Sequence, residues 1–387
     1  MFSTRRLFCS QAVSVLIAPH LFGQSQSTAP TAGGTSTRPN VAAIDHDRIL
    51  READRFLTQA PTAITSLQAD RSPGPDNDLF SEPGDQPNAF VAHREALFAL
   101  GHIVPALTAA YVITRDERYA KQAIAHLQVW FIAPDTLMTP NLEFAQVAID
   151  AKTGRPEGVV EGLPLVEIAQ SIPFLSTSEA LSPAGLETIT RWFTSYLEWL
   201  NTSRTAGLAR DMRDHNGSSW LLQAAACAKL NVKDDRPLTT LRHLFRSSTI
   251  RAQISFDGNF QRELATPNPY RNSLFNLDLL AGACDLLSTR FESAWEYELQ
   301  DGPSMRNAVA RYFPFIANRG SWPYKADSAF FSQLPLRRPA LLLAARAYNR
   351  PEYAELWKTL PPDTNTPELD RTFPIRQPLL WVTRPHP

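Results

Sequence analysis

From about Asp45 onward the apolar residues recur at spacings of three and four, and sustained strand-like alternation is hard to find. That periodicity confines the chain to an all-α architecture. Ser182-Pro183 marks a helix start, an oxygen cap followed by proline at the first helical position, and Leu186, Ile189, Phe193, Tyr196 and Leu200 then fall on one stripe. A second helix runs from Glu117 through Ala120, Ile124, Leu127 and Phe131, capped by Asp116 and stopped before Pro134. A third, Leu274 to Leu287, is apolar almost all round, as an inner helix covered on several sides would be.

One local pattern recurs. Ala109-Ala110-Tyr111 leads through Thr114-Arg115-Asp116 into Tyr119-Ala120, and Ala345-Arg346-Ala347-Tyr348 leads through Asn349-Arg350-Pro351 into Tyr353-Ala354. Cys227 through Asp235 into Pro237 is a weaker copy. Each is a helix end, a short polar turn and an amphipathic helix returning. Antiparallel helix pairs that repeat along a chain stack into a solenoid or close into a ring. The copies are too degenerate for a long open array, so the expectation is an (α/α) toroid, or incomplete α/α barrel, whose central cleft suits a long polymer. The 31 prolines against 16 glycines fit stiff loops between helices.

Residues 45–387 are read as one body of this kind, preceded by two segments of different character. Arg5-Arg6 stands before a modest apolar stretch, Ala12 to Phe22, so residues 1–23 read as a twin-arginine-like export signal and residues 24–44 as a flexible linker. The expected location is periplasmic or secreted. Ser14, Pro19 and His20 make the apolar stretch too short and too polar to span a membrane. A formal net charge of −1 gives no broad cationic field for nucleic acid. Three cysteines without metal-ligand spacing argue against a metal site, and no motif demands a cofactor. Cys227 and Cys284 either pair or act as small buried hydrophobes, the commoner case in apolar helices. The expected state is a monomer.

Four interhelical segments carry polar chemistry that packing alone does not require: Asn88 to Arg94, Met138 to Gln146, Arg213 to Trp220, and Asp257 to Asn272. Aromatic faces stack on pyranose rings, amides match hydroxyls and arginine forks onto carboxylates, so the partner expected is an acidic polysaccharide or oligosaccharide. His93 and Arg94 open a helix, where cations oppose the macrodipole and an acidic partner or ligand should compensate. Asn141 and Gln146 either bind sugar hydroxyls or cap helix ends around Pro140. Arg155 either binds ligand or pairs with Glu157 or Glu161. Trp220 reads as core, and the tail from Pro361 as a strap across the body.

Trp130-Phe131, Met138, Asn141 to Gln146, Gly154-Arg155 and Gly158 resemble the signature of the alginate lyase superfamily of polysaccharide lyases. So do Trp192-Phe193 with Tyr196 to Leu200, Glu263-Leu264, Phe275-Asn276-Leu277, and Trp322-Pro323-Tyr324 followed by Arg338-Pro339-Ala340. The resemblance covers roughly Asn88 to Trp357. It implies a toroid acting on a uronate polymer by β-elimination: one group neutralises the carboxyl, a base removes the C5 proton and an acid protonates the leaving oxygen. In that family an Asn-Asn-His run supplies the neutraliser and a histidine, and an Arg and a Tyr follow downstream.

This chain departs from the pattern. Its matching run is Asp214-His215-Asn216, and the ungapped count places Thr266 and Asn272 at the family's Arg and Tyr positions. If the segment is extended, Tyr270 shares a face with Asn272 and substitutes as the phenol, with Arg271 or Arg262 replacing the arginine. The expected catalytic set is therefore His215, Asn216 and Tyr270, with His93, Arg94, Asn141, Gln146, Arg155, Arg262, Arg271 and Asn272 binding substrate. The alternative is a catalytically degenerate relative that binds acidic glycans. An inverting hydrolase is a third reading, with Asp214 and Glu143 or Glu263 as carboxylates.

Overall fold

The computed structural model describes residues 38–231 and 233–385. The expected signal, Cys9 and most of the linker lie outside them. The body begins before residue 45. Val41–Ile44 is already a helical turn, with the Asn40 side chain accepting from the Ala43 N–H at 3.1 Å and Val41 buried. Among the described residues there is no strand beyond two isolated bridges, Phe80 with Phe144 and Glu298 with Ser304.

The principal helices are α1 (His46–Asp54), α2 (Ala92–Thr114), α3 (Glu117–Leu127), α4 (Pro164–Leu175), α5 (Pro183–Thr202), α6 (His215–Leu230), α7 (Arg236–Leu244), α8 (Pro269–Leu287), α9 (Met305–Ala317), α10 (Pro339–Tyr348) and α11 (Pro351–Thr359). Packing sorts them into two layers. Helices α2, α4, α6, α8 and α10 each lie against the next, while α3, α5, α7, α9 and α11 return along the outside as antiparallel partners. This is the incomplete α/α toroid that the periodicity predicts. The inner helices are buried over most of their surface, which is why their apolar residues run almost all round. The outer ones bury a single stripe. Helix α2 is long and apolar enough for a membrane crossing, but neighbouring helices cover most of it.

The turns follow the local chemistry. Asp116 caps α3 by accepting from the Arg118 N–H at 2.9 Å, and Ser182 caps α5 by accepting from Gly185 at 3.1 Å. The two clearest hairpin copies share one corner: Arg115 (φ 58°) ends α2 and Asn349 (φ 53°) ends α10, each in the left-handed conformation. Helix α8 starts five residues earlier than the apolar pattern suggests, at Pro269. Cys227 and Cys284 carry free, buried thiols on the packed helices α6 and α8.

Long-range polar contacts close the ring. The buried Arg338 donates to Asp278 through Nε at 2.7 Å, and the other Asp278 oxygen accepts from the Ala340 N–H at 3.0 Å, tying α10 to α8. The tail does cross the body as a strap. Buried Glu167 on α4 accepts from the N–H groups of Arg376 (2.7 Å) and Gln377 (3.0 Å) and from Trp381 Nε1 (3.1 Å), while Leu379 and Leu380 enter the core.

Candidate active site

Because each inner helix is followed by an antiparallel outer one, the inner helices run in a common direction and their N-termini gather on one rim. Arg94, Glu161, His215 and Arg271 all stand at or just before such a start. The aligned backbone N–H groups make this end favourable for an anion.

His215 is the first residue of α6. Asp214 is extended and caps the helix, its carboxylate accepting from the Asn216 N–H at 2.9 Å and from the Asn216 side chain at 3.1 Å. Gly217 lets the preceding loop fold beneath the helix, since a Cβ there would run into the Met212 carbonyl oxygen. Gln253 holds that loop by donating to the carbonyls of Met212 (3.2 Å) and Asp214 (3.0 Å). The imidazole is then fixed from a third element. Glu263, 0% exposed on the turn Gln261–Leu264, accepts from the His215 N–H at 2.6 Å and lies 3.1 Å from Nδ1. Phe275 packs beside the ring at 5.5 Å.

The His215 side chain remains 24% exposed, and Nε2 has no hydrogen-bond partner among the described residues. Burial pushes its pKa down, but the hydrogen bond and charge of Glu263 and the charge of Asp214 outweigh it against the opposing Arg271, and the net shift is upward. With Nδ1–H turned to the carboxylate, neutral His215 presents a lone pair on Nε2 to the cleft.

Arg271 and Asn272 belong to the first turn of α8. Asp327 caps that turn from across the chain, accepting from the N–H groups of Tyr270 (2.8 Å) and Arg271 (2.9 Å). Among the described residues the half-buried Arg271 guanidinium makes no hydrogen bond or ion pair, and its buried Nε–H has no acceptor. Burial lowers its pKa, while the charges of Asp327 and Glu368 resist. Asn272 donates to the Thr266 hydroxyl at 3.1 Å, and Arg262 is exposed and pairs with no described residue.

A second cluster sits at the starts of α2 and α4. The Ser81 hydroxyl donates to buried Glu161 at 2.6 Å and accepts from the Gln146 N–H at 2.8 Å. Arg94 Nη1 approaches Glu161 to 3.7 Å, and Arg155 forks onto the Gln146 side-chain oxygen at 3.0 and 2.8 Å. Burial raises the pKa of Glu161 against the pull of Ser81 and Arg94. Helix α6 anchors the turn below: Gln223 donates to the Val159 carbonyl at 2.9 Å, and Gly162 leaves room for Gln223 and Tyr196. The strap links the two clusters. Arg371 pairs with Glu95 at 2.7 Å beside Arg94, and Glu368 lies within electrostatic range of Arg271.

Four expectations need correction. Tyr270 is not on an extended segment: Pro269 starts a helix, which turns Tyr270 inward and Arg271 and Asn272 outward. Its phenol is 0% exposed, donates to the Phe315 carbonyl at 2.9 Å and packs edge-on to Trp322 and Phe331, with its pKa raised by burial. His93 is also a framework residue. Buried at the start of α2, it accepts from the Phe80 N–H through Nδ1 and donates to the Leu67 carbonyl through Nε2, both at 3.1 Å. Asn141 is spent on Asp78 (3.2 Å) and on the Glu143 N–H (2.9 Å). Asn216 is buried, with one amide hydrogen given to Asp214.

The hydrolase reading loses its carboxylates as well: Glu143 accepts from Trp199 and Ser203, Glu263 is sealed behind His215, and Asp214 caps α6. Trp220 is core, donating to the Leu200 carbonyl. Glu263, Glu161, Ser81 and Asp327 complete the site. Glu263 carries a sequence signal in the Glu-Leu motif, and Glu161 only as an expected partner of Arg155, whose guanidinium bonds Gln146 instead. Among the described residues no group of His, Cys, Asp or Glu is placed to hold a metal.

The family model described as alginate lyase matches residues 42–322. An alginate lyase from Bacteroides ovatus has a similar structure, with a TM-score of 0.73 at 23% identity over 87% of this chain and 94% of the other. Alginate lyase A1-III from Sphingomonas species A1 is similar at a TM-score of 0.55 and 13% identity, over 93% of this chain and 100% of that one. A tyrosine-to-phenylalanine variant of A1-III, complexed with a tetrasaccharide, gives 0.54 at 16% identity over 91% and 96%. No curated protein sequence matches the chain.

Proposed function

Given that the chain belongs to the alginate lyase family of polysaccharide lyases, we propose that it is an exported enzyme cleaving an alginate-like, uronate-containing polysaccharide by β-elimination, with His215 as the proton-transfer residue. One observation carries this reading. A mostly buried imidazole is oriented by a sealed carboxylate, its Nε2 is open, and the neighbouring Arg271 guanidinium has no hydrogen-bond or ion-pair partner among the described residues.

The uronate carboxylate pairs with Arg271 at the positive end of α8, which neutralises it and acidifies the C5 proton. Neutral His215 takes that proton on Nε2, and Glu263 stabilises the imidazolium that forms. The C5–H electron pair becomes the C4–C5 double bond and the C4–O bond breaks. The leaving oxygen takes its proton from Nε2, so one group serves as base and then as acid on one face of the sugar. Asn272, Arg262 and the Gln146–Arg155–Arg94 group contact neighbouring hydroxyls and carboxylates.

Export rests on Arg5-Arg6 and the apolar stretch after them, and the working unit is a monomer. The test is ultraviolet absorbance of the unsaturated product over a panel of uronate polymers. It rises with the protein and stays flat with His215→Ala. The withdrawal of Tyr270 favours a second reading, a glycan-binding relative that does not cut. That protein gives no absorbance change but a raised melting temperature with the same polymers.

A further inference from the structure

An open groove among the described residues lies outside this site. A cleft of about 370 Å3 runs between α1, the middle of α2 and the strap, and continues past Asp45, Arg48 and Asp363 into a second depression of about 580 Å3. No residue assigned to the active site lines either one. The strap separates the two regions: Asp363 and Asp370 face the groove, whereas Glu368 and Arg371 reach toward Arg271 and Glu95.

The groove is lined by five arginines and four carboxylates. The acids are engaged. Asp45 holds Arg48 and Arg337 at 3.1 and 2.6 Å, Glu52 and Asp363 also hold Arg48, and Asp370 holds His102 at 3.0 Å and Arg376 at 3.7 Å. Arg51 and Arg55 are left over. Arg51 in α1 and Arg55 at its C-cap lie four apart and are exposed on the rim; among the described residues neither makes a hydrogen bond or ion pair, the charge of Arg51 acting only at longer range on Asp47. Inside the wall, the Nε–H groups of Arg48 and Arg376 are buried without acceptors, a situation that native interiors seldom leave unless a ligand or water completes it.

We infer that this groove is a second, non-catalytic binding site for an acidic oligosaccharide, a deduction that rests on the proposed substrate class. The mixture of charges selects the ligand. Four carboxylates repel a densely charged polyanion such as a nucleic acid, but they accept hydrogen bonds from hydroxyls, while Arg51 and Arg55 fork onto a carboxylate borne once per ring. One polymer held on both sides of the strap reaches the active site at a raised effective concentration. The groove therefore acts on long chains and not on short ones.

The test uses an alginate tetrasaccharide and calorimetry on His215→Ala, which binds without cutting. Two sites are expected, falling to one when Arg51→Ala and Arg55→Ala are added. In the otherwise unaltered enzyme, the same two substitutions should raise KM for polymer about tenfold and leave tetrasaccharide cleavage unchanged. A single site in His215→Ala, or a second site that survives loss of both arginines, overturns the inference. So does full displacement by inorganic phosphate at matched ionic strength, which marks a simple anion site. Loss of product absorbance with the groove still binding would instead count against the catalytic reading alone.

Discussion

The Glu263 carboxylate grips His215 at two points, accepting the backbone N–H at 2.6 Å and lying 3.1 Å from Nδ1 of the ring. The first contact fixes where α6 starts, and the second fixes which imidazole nitrogen faces the cleft. A buried carboxylate thus sets position, tautomer and basicity at once.

That pairing predicts the pH behaviour. The His215 pKa is raised, and elimination needs the neutral imidazole, so kcat/KM should climb with pH through a value above the ordinary 6.5. Glu263→Gln should move this rise to lower pH and cut the plateau about 10- to 100-fold through lost orientation. Stability has the opposite sign. The extra stability of the parent over His215→Ala should be full below about pH 6.5 and vanish as pH passes the raised value, read from melting temperatures across neutral pH.

Tyr270→Phe should keep most of its turnover. The substitution removes one hydrogen bond to the Phe315 carbonyl in an otherwise packed aromatic cluster, costing about 1 kcal/mol in denaturant unfolding. Loss of activity in a folded Tyr270→Phe protein would return the phenol to the mechanism.

Arg271→Ala should lower kcat/KM about 100-fold or more, because the uronate carboxylate loses its fork. Arg271→Lys should recover only part of this, since an ammonium cannot form the planar pair. Added guanidinium should partly restore turnover of the alanine variant and leave the Arg271→Lys rate unmoved.

Gly217→Ala places a methyl group against the Met212 carbonyl, a backbone atom that Gln253 holds in place. The loop must shift, with a loss of about 2–4 kcal/mol on chemical denaturation and displacement of His215. Gly207→Ala, where nothing lies within 4 Å, is the matched control and should leave activity unchanged.

The helical ring was legible because its signals are local: three-and-four spacing, the Asp116 and Ser182 caps, and polar corners ending at Arg115 and Asn349. His215 was legible for the same reason, since it stands in a short polar run ahead of an apolar helix. The placement of Tyr270 is not legible in the same way, because Pro269 starts a helix where the loop composition suggests extended backbone, and a helical turn puts residues 270 and 272 on different faces. His93 looked like a ligand-facing cation, and only contacts to Leu67 and Phe80, 26 and 13 residues away, make it a neutral brace. Glu263 lies 48 residues from His215, and no spacing rule reports that separation. Carboxylates buried by distant partners are written in the tertiary fold alone.

The contact between Glu167 and Trp381 joins positions 214 residues apart. Until that span is closed, a ribosome-bound or newly released chain has a carboxylate exposed on α4 and an uncovered apolar seam beside it. Final consolidation is therefore a late, topologically slow step. During that interval the molecule is most open to chaperones, to proteolysis and to pairing with its own kind.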